Sequence, residues 1–117
     1  MPGVVRLETD TGDVVCERCA VADRALSRMR GLLGRSSLEP GEGLLIRPAG
    51  SIHTFFMRFP IDVVFCDREL RVLGVAPEVG PWKARMQRRA RVAVELPAGE
   101  AARRGVTPGV QLRTVPV

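Results

Sequence analysis

Turn-forming clusters cut this chain into short segments about every 8–12 residues, and that spacing leaves room for little besides short strands. Thr9-Asp10-Thr11-Gly12-Asp13, Glu39-Pro40-Gly41-Glu42-Gly43, Pro48-Ala49-Gly50, Asp67-Arg68-Glu69 and Thr107-Pro108-Gly109 each carry the Gly, Pro or Asp that tight turns need. Between them lie apolar or alternating runs. Val4–Glu8 and Val14–Ala20 flank the first turn as a hairpin. Leu44–Ile46, Ile52–Phe59, Ile61–Cys66, Leu70–Val75, Arg91–Leu96 and Val110–Val115 follow as strands, with Pro60 breaking Ile52–Phe59 from Ile61–Cys66. Ala76–Ala90 holds two Pro, the one Trp and four basic residues, and reads as a long loop.

Helical signals are few. Asp23 can N-cap a helix over Arg24–Leu33, with Leu26, Met29 and Leu33 on one stripe and Gly34 as its stop. Gly31 inside it implies close approach to another backbone. Gly99–Arg104 is a helical turn ended by Gly105. The expected fold is therefore mainly β (α+β): a compact antiparallel β-sandwich or barrel with one packed helix and one short helical turn. Residues 1–117 are expected to form a single domain, a size that buries one core without disulfides.

No apolar run approaches the roughly 18 residues of a membrane span. The start, MPGVVRLETDTG, has neither the basic nor the apolar region of a signal peptide, so a cytoplasmic protein with reduced thiols is expected. The net charge is +5, from 18 basic and 13 acidic residues. All the basic residues but Lys83 are Arg, and Tyr and Asn are missing, a bias that GC-rich coding produces and that lowers the weight of the charge as a functional signal.

Asp62 is the strongest chemical oddity. Its neighbours Ile61, Val63, Val64, Phe65 and Cys66 are apolar on both faces, and such a strand is buried on both sides. A carboxylate there needs a partner: an Arg, His53, or backbone N–H groups. The bland alternative is a structural acid that ties two elements together. His53, the one histidine, shares its stretch with Thr54, Met57 and Arg58 and could be a base, a ligand or a structural donor. At strand spacing His53, Phe55, Met57 and Phe59 share one face, with Met57 and the Phe residues packing the core.

Cys16 and Cys19 form a C-x-x-C. Only Cys66 and His53 remain to complete a metal site, and positions three apart on a strand face opposite ways, so no metal is expected. No cofactor motif occurs either. Pro81–Arg91 carries Lys83, Arg85, Arg88, Arg89 and Arg91 without an acid. A lone Trp amid basic residues could stack a base, yet a platform normally offers several aromatics, which favours a solvated loop with Trp82 folded onto the core.

Several of these features fall into one order along the chain. Arg30-Gly31-Leu32-Leu33-Gly34-Arg35 precedes Gly43-Leu44-Leu45, then His53-Thr54-Phe55, Met57-Arg58-Phe59-Pro60-Ile61-Asp62 and Glu95-Leu96-Pro97-Ala98-Gly99. This pattern, from about Val4 to Leu112, resembles the prokaryotic domain-of-unknown-function family 192 (DUF192). The resemblance implies a compact, mainly β fold with a helix packed on it, and no assigned activity. Many members carry Trp-Met-x-Asn-Thr where this chain has His53–Met57, so the resemblance does not carry a His-based mechanism.

Three functions follow as expectations. The first is a non-enzymatic β domain that binds a small molecule or peptide through a polar cluster of Arg30, Arg35, His53, Arg58, Asp62 and Glu95. The second is a hydrolase-like enzyme using Asp62 and His53 as an acid/base pair. The third is an interaction module that docks acidic or nucleic-acid partners through Lys83–Arg91, with nucleic acid the weaker choice.

Overall fold

The computed structural model describes residues 3–24, 32 and 35–117. Most of the helix expected over 24–33 lies outside them, as does Arg30. Among the described residues the strands are β1 (Val4–Thr9), β2 (Val14–Ala22), β3 (Glu42–Ile46), β4 (Ser51–His53), β5 (Ile61–Cys66), β6 (Val72–Val79), β7 (Ala84–Met86), β8 (Val92–Pro97) and β9 (Leu112–Pro116), with a short helix, α1 (Glu100–Arg103), between the last two. Among the described residues no helix is long and apolar enough to cross a membrane.

Seven strands form one sheet in the order β6-β5-β8-β3-β2-β1-β9, and β4 and β7 form a separate two-stranded ribbon. The mainly β expectation holds, with two corrections. The sheet is mixed rather than antiparallel throughout, because β2 and β3 run parallel. Nineteen residues separate those strands, enough for the return that parallel pairing requires. The sheet also does not close into a barrel. Its edge strands meet at a single bridge, Arg71 to Gln111, and the ladder stops there.

Strands β5 and β8 are interior strands buried on both faces, as the apolar run Ile61–Cys66 predicts. Val64, Cys66, Val92, Val94 and Leu96 pack with Leu7, Val15 and Leu112 on one face. Ile61, Val63, Phe65 and Ala93 pack with Leu44, Ile46, Ile52 and Met57 on the other. Full burial of one such side chain contributes about 1.5–3 kcal/mol, so this double layer is the main cohesive element.

Two segments depart from expectation around the ribbon. The strand expected over 52–59 ends at His53, and the stretch expected as a long loop contains the end of β6 and all of β7. β7 is exposed at every residue, so it has no apolar alternation to betray it, and it is held by backbone pairing of His53 with Ala84 and Ser51 with Met86.

Candidate functional site

Asp62 lies where β5 and β6 fall out of register. Ile61 pairs with Val79 and Val63 with Ala76, so Pro77 and Glu78 together face Asp62 alone, a β-bulge. Pro77 has no N–H, and the amide of Glu78, in a left-handed conformation at φ 49°, donates to Asp62 Oδ1 at 2.8 Å. The other oxygen, Oδ2, accepts the amide of Ala101 at 2.9 Å. Asp62 is completely buried. Its carboxylate therefore closes a bulge and caps a helix start, and the structural alternative describes it.

The other members of the expected polar cluster do not join it. Glu95 pairs laterally with Val63 and Leu44, which belong to the opposite core layer from the Leu96 beside Asp62. It is buried there, makes no ion pair among the described residues, and burial pushes its carboxyl up to about 7. Arg35 is exposed, pairs with Glu42 at 2.9 Å and donates to the Ser37 carbonyl. Arg58 is exposed. His53 is exposed on the ribbon, and its Nδ1 accepts the amide of Phe55 at 3.3 Å. Among these described residues no hydrogen bond or ion pair joins any one to another. No hydrogen bond links His53 to Asp62, so the acid/base pair is not formed: the carboxylate is buried and bonded to backbone amides, while the imidazole is exposed on the ribbon.

What the structure does assemble is an aromatic ledge around His53. The imidazole stacks on Phe55 at 4.8 Å, Phe55 stacks on Trp82 at 5.9 Å, and Phe56 meets Trp82 edge-on at 4.6 Å. Phe56 is 69% and Trp82 59% exposed, with Phe55 at 40%. Trp82 is therefore not folded onto the core, and of the expected core residues here only Met57 is buried, with Phe59 half-buried. Phe56 and Trp82 both have positive φ, 67° and 64°, an uncommon conformation for bulky residues that persists only where neighbours hold it.

Thr54 is what holds it. This fully buried residue donates through Oγ1 to the Gly80 carbonyl at 2.6 Å and accepts the Lys83 amide at 2.9 Å. Its backbone binds the Lys83 carbonyl through N–H, and its own carbonyl accepts the amides of Trp82 and Met57. One threonine thus fastens the turn at 54–57 to the loop at 80–83. The sequence offers a faint signal for this, a Thr between His53 and Phe55, where the strand should continue apolar.

Cys16 and Cys19 correct another expectation. Val5 pairs with Cys19 and Leu7 with Cys16, so a bulge in β2 adds one residue between them and brings both thiols to the same core. A hydrogen bond from Cys19 holds Cys16 below the ordinary thiol range, and the same contact, reinforced by burial, pushes Cys19 up. Among the described residues no group of three or more His, Cys, Asp or Glu is arranged to hold a metal.

The family DUF192 (Uncharacterized ACR, COG1430) matches residues 6–114. The chain belongs to DUF192. No curated protein matches it. Two solved structures share the DUF192 chain's fold. One, from Sinorhizobium meliloti 1021 and provisionally called a transcription regulator, is 24% identical over 97% of this chain and 94% of its own, with a TM-score of 0.83. The other, a protein of unknown function from Novosphingobium aromaticivorans DSM 12444, is 22% identical over 96% of this chain and 84% of its own, with a TM-score of 0.81. At these identities the likeness establishes the fold.

Proposed function

We propose that this DUF192 protein is a non-enzymatic binding domain whose ledge of His53, Phe55, Phe56 and Trp82 receives an extended peptide with an apolar side chain beside acidic residues. The observation that carries this reading is the continuous exposed stack of four rings, latched from below by Thr54. Aromatic surface held in one conformation binds without the entropy cost of ordering it. Exposed aromatic rings also mark interaction sites more reliably than scattered apolar residues do. Charge selects the partner's sign: Arg58, Lys83 and Arg85 adjoin the rings in sequence, and 81–91 contains no acid. The two-stranded ribbon beside the ledge, with neither strand joined to the main sheet, favours an extended chain as ligand. The three cysteines are free and buried, which supports a reducing cytoplasmic setting.

Trp82 is the one tryptophan, so its fluorescence reports on the ledge directly. Titration with a short peptide alternating Glu and Leu should shift that emission saturably, while a Lys-Leu counterpart should not. Phe56→Ser should weaken the acidic peptide. An unchanged emission with both peptides, or a response to single-stranded DNA alone, sinks the proposal.

A further inference from the structure

Six arginines among the described residues are held in ion pairs. Arg6 and Arg113 pair with Glu8, Arg18 and Arg35 with Glu42, and Arg103 and Arg104 with Glu100. Arg47, Arg68 and Arg91 form no ion pair and donate no side-chain hydrogen bond among the described residues. These three line one open cavity of about 470 Å³, whose remaining wall is Pro48 and Val92.

The topology explains why they meet. β5, β8 and β3 are neighbours in the sheet, and β8 runs antiparallel to both. The ends of β5 and β3 and the start of β8 therefore lie at the same rim. Arg47 follows β3, Arg91 precedes β8, and Arg68 sits in the turn after β5. Backbone bonds pin the bases of two of them: the Arg91 amide donates to the Cys66 carbonyl at 2.8 Å, the Ala49 amide to the Arg91 carbonyl at 2.9 Å, and the Arg47 amide to the Ala22 carbonyl at 3.1 Å. Two acids flank Arg68 in sequence. Asp67 is turned to its own loop, where its Oδ1 accepts the amides of Glu69 and Arg71, and Glu69 forms no ion pair among the described residues.

We infer that this cavity is a binding site for the phosphate group of a small phosphorylated molecule. Three guanidinium groups brought together without counter-charges repel one another, and an anion with several acceptor oxygens relieves that while satisfying their forked donors. The volume falls within the range of small-ligand pockets, about 300–1,000 Å³. Pro48 and Val92 supply an apolar wall for the body that carries the phosphate. A polyanion such as nucleic acid would instead need a stripe of charge along a surface. This site is distinct from the aromatic ledge in residues and in chemistry.

The test is a ¹H–¹⁵N spectral titration of the full chain with inorganic phosphate, a hexose monophosphate and a nucleoside monophosphate, with heparin as the polyanion arm. The amides of Arg47, Arg68 and Arg91 should shift saturably, while those of Phe55, Phe56 and Trp82 stay in place. A tighter response to an ester than to free phosphate assigns the Pro48–Val92 wall to the ligand body, and an equal response assigns the site to the free anion. Arg47→Gln and Arg68→Gln, both at exposed positions, should each weaken binding about tenfold. Arg18→Gln, whose side chain pairs with Glu42, should leave binding unchanged. No saturable shift with any small phosphate, or a response to heparin alone, overturns the inference.

Discussion

The Asp62 carboxylate caps helix α1 from outside, accepting the Ala101 amide at 2.9 Å where Gly99, the residue at the cap position, has no side chain to offer. The same carboxylate accepts the Glu78 amide at the β5–β6 bulge, so one buried acid ties an edge strand, a central strand and a helix together. Asp62→Ala orphans two donors. At about 1–3 kcal/mol for each donor, we expect a loss of about 2–6 kcal/mol. Asp62→Asn keeps one acceptor oxygen and should lose roughly half as much. Urea unfolding followed by circular dichroism measures both. A neutral Asp62→Ala would remove the structural assignment.

Two glycines make a paired prediction about packing. A Cβ on Gly43 would lie 2.8 Å from Cys16 Sγ, 3.0 Å from the Glu95 carbonyl oxygen and 3.0 Å from Leu96 Cδ2. The carbonyl belongs to the paired strand β8 and cannot retreat. Gly43→Ala should therefore destabilise by about 1–3 kcal/mol, as overpacking does. A Cβ on Gly74 would come close to Gln87 Oε1, the far end of a flexible side chain that can swing aside. Gly74→Ala should cost much less. Thermal unfolding of the two variants gives the ranking, and the reverse order would contradict the packing of β3 against β8.

Asp62 and His53 show how much the sequence reveals and where it stops. A carboxylate in a run that is apolar on both faces announces both the double burial of β5 and the need for a partner, and both are found. The identity of that partner was out of reach, because a bulge in β6 and the amide of a residue 39 positions away have no side-chain signature. His53 was legible only as chemically capable. Its place on an exposed ribbon depends on β7, a strand with three exposed residues that pairs through backbone alone. Cys16 and Cys19 failed for a related reason: the three-residue spacing predicts opposite faces, and a bulge that no residue type announces adds the missing half-period. The ledge follows the same logic, since Phe56 and Trp82 look like core residues by composition and are turned outward by left-handed backbone that Thr54 fixes.

Glu95 should make stability fall as pH rises. Burial between Leu44 and Val63 lifts its carboxyl from the model-peptide value near 4.5 to about 7. Between those pH values the folded chain holds a proton that the unfolded chain has released. Stability is therefore fully present below about pH 4.5 as far as this group is concerned, and declines through pH 7. The size of the decline is on the order of 3 kcal/mol. Glu95→Gln should flatten the slope of unfolding free energy between about pH 5 and 7. An identical slope in the variant would mean that the carboxyl ionises freely in the fold.

Thr54 gives the sharpest separation between folding and function. Thr54→Val keeps the volume but removes the acceptor for the Lys83 amide and the donor to the Gly80 carbonyl. The orphaned groups should cost about 1–3 kcal/mol. Because the latch is local, the loss should concentrate at the ledge: faster hydrogen exchange at Lys83 and Trp82, altered Trp82 emission, and weaker binding of the acidic peptide. Thr54→Ser keeps the hydroxyl and should restore most of the exchange protection and the emission. Phosphate binding at Arg47, Arg68 and Arg91 should be untouched in both variants, since the latch shares no residue with that cavity. If Thr54→Val leaves Trp82 emission and exchange as they are, the left-handed conformations at Phe56 and Trp82 are held by something other than this hydroxyl.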